Sequence, residues 1–271
     1  MFPLAGKTFP TSNDELRAAI QDALARVVTF APTGAGVSVE GGTFPDVASI
    51  RIDLSGATVK ADQPPPPRPV PTGQRLPGIT LGRLDVSGHP IFYQSGKASL
   101  DLHSEGLRLD FAQDADGNPL LVLADARDGR VEVTIARDDL RSLLLAAASA
   151  AASQQGVTIQ DLDVRLDAPA DRSLAVNVRV KAKKLFMSGV INVQGRADVD
   201  EGLVATLSGL SASGEGVIGG MAAGMIQGKL KPYEGRRVSL MAFSLGDVAL
   251  RDLKISTTPD VRLSATFGHK S

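Results

Sequence analysis

The sequence predicts an α+β fold in which antiparallel β-structure dominates and one or two long helices pack against it. Three observations predict this. Apolar and polar residues alternate along most of the chain, as at Val131, Val133 and Ile135 or at Leu174, Val176, Val178 and Val180, the pattern of a strand with one buried face. The strand candidates are separated by Gly-, Asp- and Asn-containing turns, such as 114–118 and 200–202, which favour hairpins and antiparallel pairing. The period changes clearly to that of a helix from Arg137, where Leu140, Leu143, Leu144, Ala147, Ala148 and Ala151 form one stripe.

In chain order, 12–30 reads as a first helix. Ser12 and Glu15 have capping-box spacing. Leu16, Ile20, Leu24, Val27 and Val28 make an apolar stripe, with Arg17, Gln21, Asp22 and Arg26 on other faces. A helix laid on a core is expected; a membrane-surface helix is the alternative, and the Lys/Arg-rich face such a helix usually carries is missing. From Gly36 the chain turns β-rich, with Val37 and Val39, then Ile50, Ile52 and Leu54. A proline tract follows (Pro64, Pro65, Pro66, Pro67, Pro69, Pro71 and Pro77). It can form only polyproline II or an irregular loop, so 62–77 is expected to be a surface excursion between strands. Ile79, Leu81, Leu84 and Val86 form the next strand; 98–102, 107–111 and 121–123 are expected as further short strands.

The strand 131–135 then runs into the helix from Arg137, with Asp138 and Asp139 at its positive end and Gly156 as its stop. Leu145 and Ala146 lie off the stripe, so this helix is apolar on more than one side. Either protein covers it all round or something else apolar does. Val157 and Ile159, then Leu162, Val164 and Leu166, restore alternation, and 189–199 with 203–207 read as a hairpin. Within 214–230, Val217, Ile218, Met221, Met225 and Ile226 sit at helical spacing among glycines, each costing about 1 kcal/mol relative to Ala. Val238 and Leu240, Val248 and Leu250, Ile255, and Val261, Leu263, Ala265 and Phe267 close the chain in β-pattern. Nothing marks a linker, so residues 1–271 are expected to form a single domain with the proline-rich loop at 62–77.

Composition excludes several function classes. Aromatics are 4% with no Trp, too few for single-strand nucleic-acid stacking platforms. The net charge of −1 supplies no global basic field, so no nucleic-acid partner is expected. The absence of cysteine excludes disulfides, zinc–thiolate sites and iron–sulfur clusters. The N-terminus lacks the basic and long apolar regions of a signal peptide, and no apolar run approaches the ~20 residues of a membrane span. A cytoplasmic or membrane-peripheral location is therefore expected.

Catalytic signatures are missing. His89, His103 and His269 carry no metal-pair spacing, and neither a G-x-S-x-G elbow nor a G-K-[ST] phosphate loop occurs. Gly214-Glu-Gly-Val-Ile-Gly219 matches G-x-G-x-x-G but lies outside the parallel βαβ context that a dinucleotide needs. Asp114, Asp116 and Asn118 begin like a calcium loop, yet Pro119 stands where the invariant Gly belongs and Asp125 where the bidentate Glu belongs. No enzyme activity, catalytic residue, cofactor or metal site is expected. What remains is apolar surface: 143–152 is apolar nearly all round, and 217–226 mixes Gly, Ala and Met. Met suits irregular apolar ligands; core helices are the plainer explanation.

The alternating strand, then Asp139-Leu140 and Leu143-Leu144 on a helix, then Gly156-Val-Thr-Ile and Val164, resembles the LmeA-like phospholipid-binding family of bacteria. So do the strand 174–180 leading to Gly189-Val-Ile-Asn-Val-Gln-Gly195-Arg-Ala, and the closing Phe243-Ser-Leu-Gly-Asp-Val-Ala-Leu-Arg-Asp-Leu-Lys-Ile255 with Val261-Arg-Leu-Ser-Ala-Thr. The resemblance covers roughly 37–267. The proline tract is not a family feature, and many members begin with a signal or anchor segment. The resemblance implies a tubular lipid-binding (TULIP-like) fold, a strongly curved antiparallel sheet wrapped around one or two long helices and enclosing an apolar channel. It implies non-enzymatic binding or transfer of phospholipid or another acyl lipid and transient contact with a membrane surface. The implied lipid-binding residues are Leu16, Ile20, Leu24, Leu140, Leu143, Leu144, Ala147, Met221 and Met225, with 214–230 as a lid or membrane-touching element. The alternative is a structural or interaction module, β-rich and dry-cored, with no ligand.

Overall fold

The computed structural model describes all residues except 33, 35, 61–68, 154–155, 185–186, 240–247, 249 and 270–271. The chain is α+β. Its elements are β1 (Phe2–Pro3), α1 (Asn13–Ala25), β2 (Val28–Thr29), β3 (Gly36–Thr43), β4 (Asp46–Asp53), β5 (Thr58–Val59), β6 (Thr72–Tyr93), β7 (Gly96–Gln113) and β8 (Pro119–Ile135). There follow α2 (Arg137–Ser153), β9 (Thr158–Ala170), β10 (Ser173–Lys184), β11 (Met187–Val199), β12 (Val204–Glu215), α3 (Gly216–Leu230), a 3-10 turn (Lys231–Tyr233), β13 (Arg237–Ser239), β14 (Leu250–Ser256) and β15 (Val261–Phe267). The chain packs as two compact units: Met1–Thr134 with Phe243–Asp252 and Ser264–Ser271, and Ile135–Ala242 with Leu253–Leu263. No change of composition marks the division, because it falls at the end of β8 and inside β14 and β15, which are patterned like every other strand.

The larger sheet has the strand order β14-β15-β8-β7-β6-β4-β3, with β1 on β8 and the β2–β5 pair on β6. Most pairs are antiparallel, but β4 and β5 lie parallel to β6, which departs from the expected run of hairpins. A parallel neighbour needs a crossover of about a dozen residues or more, and 54–71 supplies it between β4 and β6. β6 already begins at Thr72, so Pro77 lies within a strand, next to a register shift that absorbs its missing donor. Pro69 and Pro71 precede the strand, and Pro64 to Pro67 lie outside the described residues.

The strands are longer than their sequence pattern implies. The candidates 98–102 and 107–111 are both parts of β7, and 121–123 and 131–135 both parts of β8. α1 ends at Ala25 rather than near 30, because the β-branched Val28 and Thr29 pair with β5. Ser12 Oγ accepts from the Glu15 N–H at 3.2 Å, as the capping spacing requires. The Glu15 carboxylate turns instead to Thr11, taking its N–H and hydroxyl at 2.8 and 2.9 Å, and these bonds hold its pKa below the ordinary carboxylate value. Leu16 and Ile20 carry α1 onto a core with Val37, Ile50, Leu81, Leu107 and Phe111.

In the second unit, β13-β12-β11-β10-β9 form an antiparallel sheet. α2 packs along β9, and α3 against β11 and β12. Gly156 ends the α2 segment at φ +65°, as expected. Leu240 and residues 243–247, expected as β-pattern or as part of the closing hairpin, lie outside the described residues, and Val248 is buried without joining a strand.

Candidate functional site

The first unit contains a cavity of about 310 Å³. Alternate strand residues project to one face, and that geometry builds its wall: Ile50 and Ile52 from β4, Leu81, Leu84 and Val86 from β6, Leu102, Leu107 and Leu109 from β7, Leu121 and Leu123 from β8. Ile20 and Leu24 of α1 close it with Met1, Phe2, Leu54 and Phe267. Phe267 reaches this position because β8 carries Gly129 beneath it; a Cβ there would fall 2.2 Å from the ring. Every lining side chain is apolar. Such a lining gives ordered water few partners, and the volume lies at the lower end of the ~300–1,000 Å³ range of small-molecule sites.

The other face of the same strands is polar. Asp85 accepts from Arg83 Nε at 2.6 Å and pairs with His103 Nδ1 at 2.8 Å, while Arg127 bonds Glu105. The Arg83 guanidinium, aided by His103, holds the Asp85 carboxyl below its usual pKa. Each histidine sits beside an aspartate: His89 by Asp101 at 2.9 Å, His103 by Asp85 at 2.8 Å, His269 by Asp125 at 2.5 Å. Sequence reasoning missed these pairs because each joins two strands or a strand and the C-terminus. No group of His, Asp and Glu able to hold a metal occurs among the described residues. Asp114 builds the β7–β8 turn, accepting from the Asp116 and Asn118 backbone N–H groups at 2.9 and 2.8 Å and from Asn118 Nδ2 at 2.9 Å. The bonds from Asn118 lower its pKa most.

The second unit carries an apolar groove of about 540 Å³. Its floor is one face of the sheet, with Ile159, Val180, Ala182, Ile191 and Val193; α3 supplies Val217, Ile218, Met221, Ala222, Met225 and Ile226, and α2 supplies Ala148 and Ala152. Lys229 is the single charged residue of the lining. The G-x-G-x-x-G segment explains how α3 reaches the sheet. A Cβ on Gly214 would fall 2.0 Å from the Gly219 carbonyl oxygen, and one on Gly219 2.4 Å from that of Val190. These glycines serve backbone-to-backbone approach between an antiparallel hairpin and the helix that follows it.

The expected site residues divide. Ile20 and Leu24 line the first cavity, whereas Leu16 is buried in the core beside it. Met221 and Met225 line the groove of the second unit. Leu140, Leu143 and Leu144 are half-buried, Ala147 is exposed, and none of the four lines either space. α2 is turned so that Arg141 donates from Nε to the Leu162 carbonyl at 2.6 Å and from Nη2 to Asp161 at 2.9 Å. Its small Ala148 and Ala152, not its leucines, face the groove. The strand residues of the first cavity went unnamed because in sequence a strand side chain facing a cavity is the same as one facing a core.

Compared with known proteins, the chain matches no protein family, no curated protein and no solved structure.

Proposed function

We propose that this protein binds an acyl lipid, a phospholipid above all, without catalysing a reaction on it. The observation that carries the reading is the wholly apolar lining of the first cavity. An acyl chain needs nothing but such a wall, gaining about 0.8 kcal/mol per buried methylene. The groove of the second unit, apolar except for Lys229, is a second place for a chain, with a cation near a headgroup. The architecture that goes with this reading is the tubular lipid-binding one, a sheet curving around a helix, as in the LmeA-like family that the sequence resembles. In that arrangement α1 is the helix against the first cavity.

Native mass spectrometry of the intact chain after incubation with phosphatidylglycerol vesicles tests the proposal. A mass increment of one or more phospholipids is expected. Val86→Phe and Leu123→Phe, which fill the first cavity, are expected to lower its occupancy while the thermal midpoint holds. A wild-type chain that never carries lipid under these conditions overturns the reading and leaves the dry-cored interaction module.

A further inference from the structure

We propose that α3 and the segment after it dock the protein on an anionic bilayer surface. The close packing through Gly189, Gly214 and Gly219 fixes which face of α3 meets the sheet, and Ile218, Gly219 and Ala223 are buried there. The opposite face is therefore fixed outward, and it is apolar. Val217, Met221 and Met225 stand 66%, 68% and 57% exposed at intervals of four residues, one ridge along the helix. Gly220, Gly224 and Gly228 run beside that ridge with nothing within 4 Å of a Cβ position, so its flank is smooth.

Charge identifies the partner. α3 contains no Asp or Glu, and the next step along the ridge is Lys229. Lys231, Arg236 and Arg237 follow, all exposed. Between 229 and 237 these four cations face one acid, Glu234, whose carboxylate is taken by the Gly209 and Leu210 N–H groups at 2.9 and 2.7 Å. Arg237 also reaches Asp200 at 3.3 Å. The whole chain holds 29 Lys and Arg against 30 Asp and Glu, so the basic excess here is local. Arg236 lies over the ring of exposed Tyr233 at 5.4 Å, an aromatic of the kind that sits at headgroup depth. An apolar ridge continued by cations matches a bilayer interface, where apolar side chains enter the acyl boundary and basic ones meet anionic headgroups. The ridge is also a wall of the 540 Å³ groove, so docking brings the groove to the acyl layer. In that respect the inference rests on the acyl-lipid reading.

Cosedimentation of the full chain with vesicles tests it, comparing phosphatidylcholine alone with an equal mixture of phosphatidylcholine and phosphatidylglycerol. Binding to the anionic vesicles alone, weakening as salt rises, is expected. Lys229→Glu and Lys231→Glu are each expected to weaken it about fivefold or more. Met221→Ser with Met225→Ser is expected to abolish it at an unchanged thermal midpoint, since both side chains are exposed. Equal binding to both vesicle types overturns the proposal, as does full binding by the double methionine variant. A self-associated species in light scattering that the double variant loses, without vesicle binding, assigns the ridge to a second copy and overturns it too. Uptake of a short-chain phospholipid from solution, read by native mass spectrometry without vesicles, separates the two claims. Uptake without docking removes only the docking surface, and docking without uptake removes only the lipid cavity.

Discussion

Gly82 of β6 faces Gly106 of β7 across the sheet, in the interval between the pairs Leu81–Leu107 and Arg83–Glu105. At this line the alternation of both strands resets. On β6 the core-facing residues are Ile79 and Leu81 before it and Leu84 and Val86 after it; on β7 they are Leu100 and Leu102 before it and Leu107, Leu109 and Phe111 after it. β4 resets alongside, from Val47 to Ile50 and Ile52. The reset turns both halves of β6 and of β7 toward the same apolar cavity. Gly82 is required because a Cβ would fall 2.7 Å from the Ala48 carbonyl oxygen, and Gly106 because its φ is +59°.

Gly82→Ala and Gly106→Ala are therefore expected to destabilise the chain. The first forces a backbone shift, about 1–3 kcal/mol; the second places an L-residue in the left-handed region, about 1–2 kcal/mol. Urea unfolding of both variants measures this. A variant as stable as the wild type at either position removes the reset as a structural requirement.

The same line explains what was legible in the sequence. Most strands and all three described helices announce themselves by period, and α2 with its Gly156 stop is placed within a few residues. β7 and β8 each read as two strands because a change of phase looks like a break, and only pairing with neighbours shows the chain continuing through it. The parallel β4–β6 pair was hidden because a long connection says nothing about direction. Of the residues expected to bind lipid, those read from helical stripes that line an apolar space are Ile20 and Leu24 in the first unit and Met221 and Met225 in the second. The leucines of α2 line neither space, since a stripe shows that a face is apolar and not what covers it. Here Arg141, anchored on β9, decides the rotation.

That anchor is testable. Arg141 bonds a carbonyl and a carboxylate at once through its fork, which the single ammonium of lysine cannot reproduce. Arg141→Lys is expected to cost about 0.5–1.5 kcal/mol and to raise hydrogen exchange along α2 before it does so elsewhere. Uniform exchange across the second unit counts against the anchor.

α3 offers an internal contrast between glycines. Gly219→Ala puts a Cβ 2.4 Å from the Val190 carbonyl oxygen, whereas Gly224→Ala meets nothing within 4 Å. The first is expected to lose stability and the second to gain about 0.5–1 kcal/mol, because alanine is the better helix former. Thermal unfolding of the two single variants reads the difference. Equal effects at both sites contradict the close approach of α3 to β11.

Asp85 gives a dependence on pH. The Arg83 guanidinium at 2.6 Å, with His103 at 2.8 Å, lowers its folded-state pKa, so the folded chain binds the proton less readily than the unfolded chain does. The resulting stability is fully present above the ordinary carboxylate pKa of about 4 and is lost as pH falls from there through the lowered folded value. The group is partly solvated, so the contribution is about 1 kcal/mol or less. Asp85→Asn is therefore expected to be less stable than the wild type at neutral pH by that amount. The gap between them closes below about pH 4, and added salt narrows it at neutrality. Paired urea titrations across this range measure it. A gap that persists unchanged in acid assigns the loss to packing of the amide rather than to the Arg83–Asp85 pair.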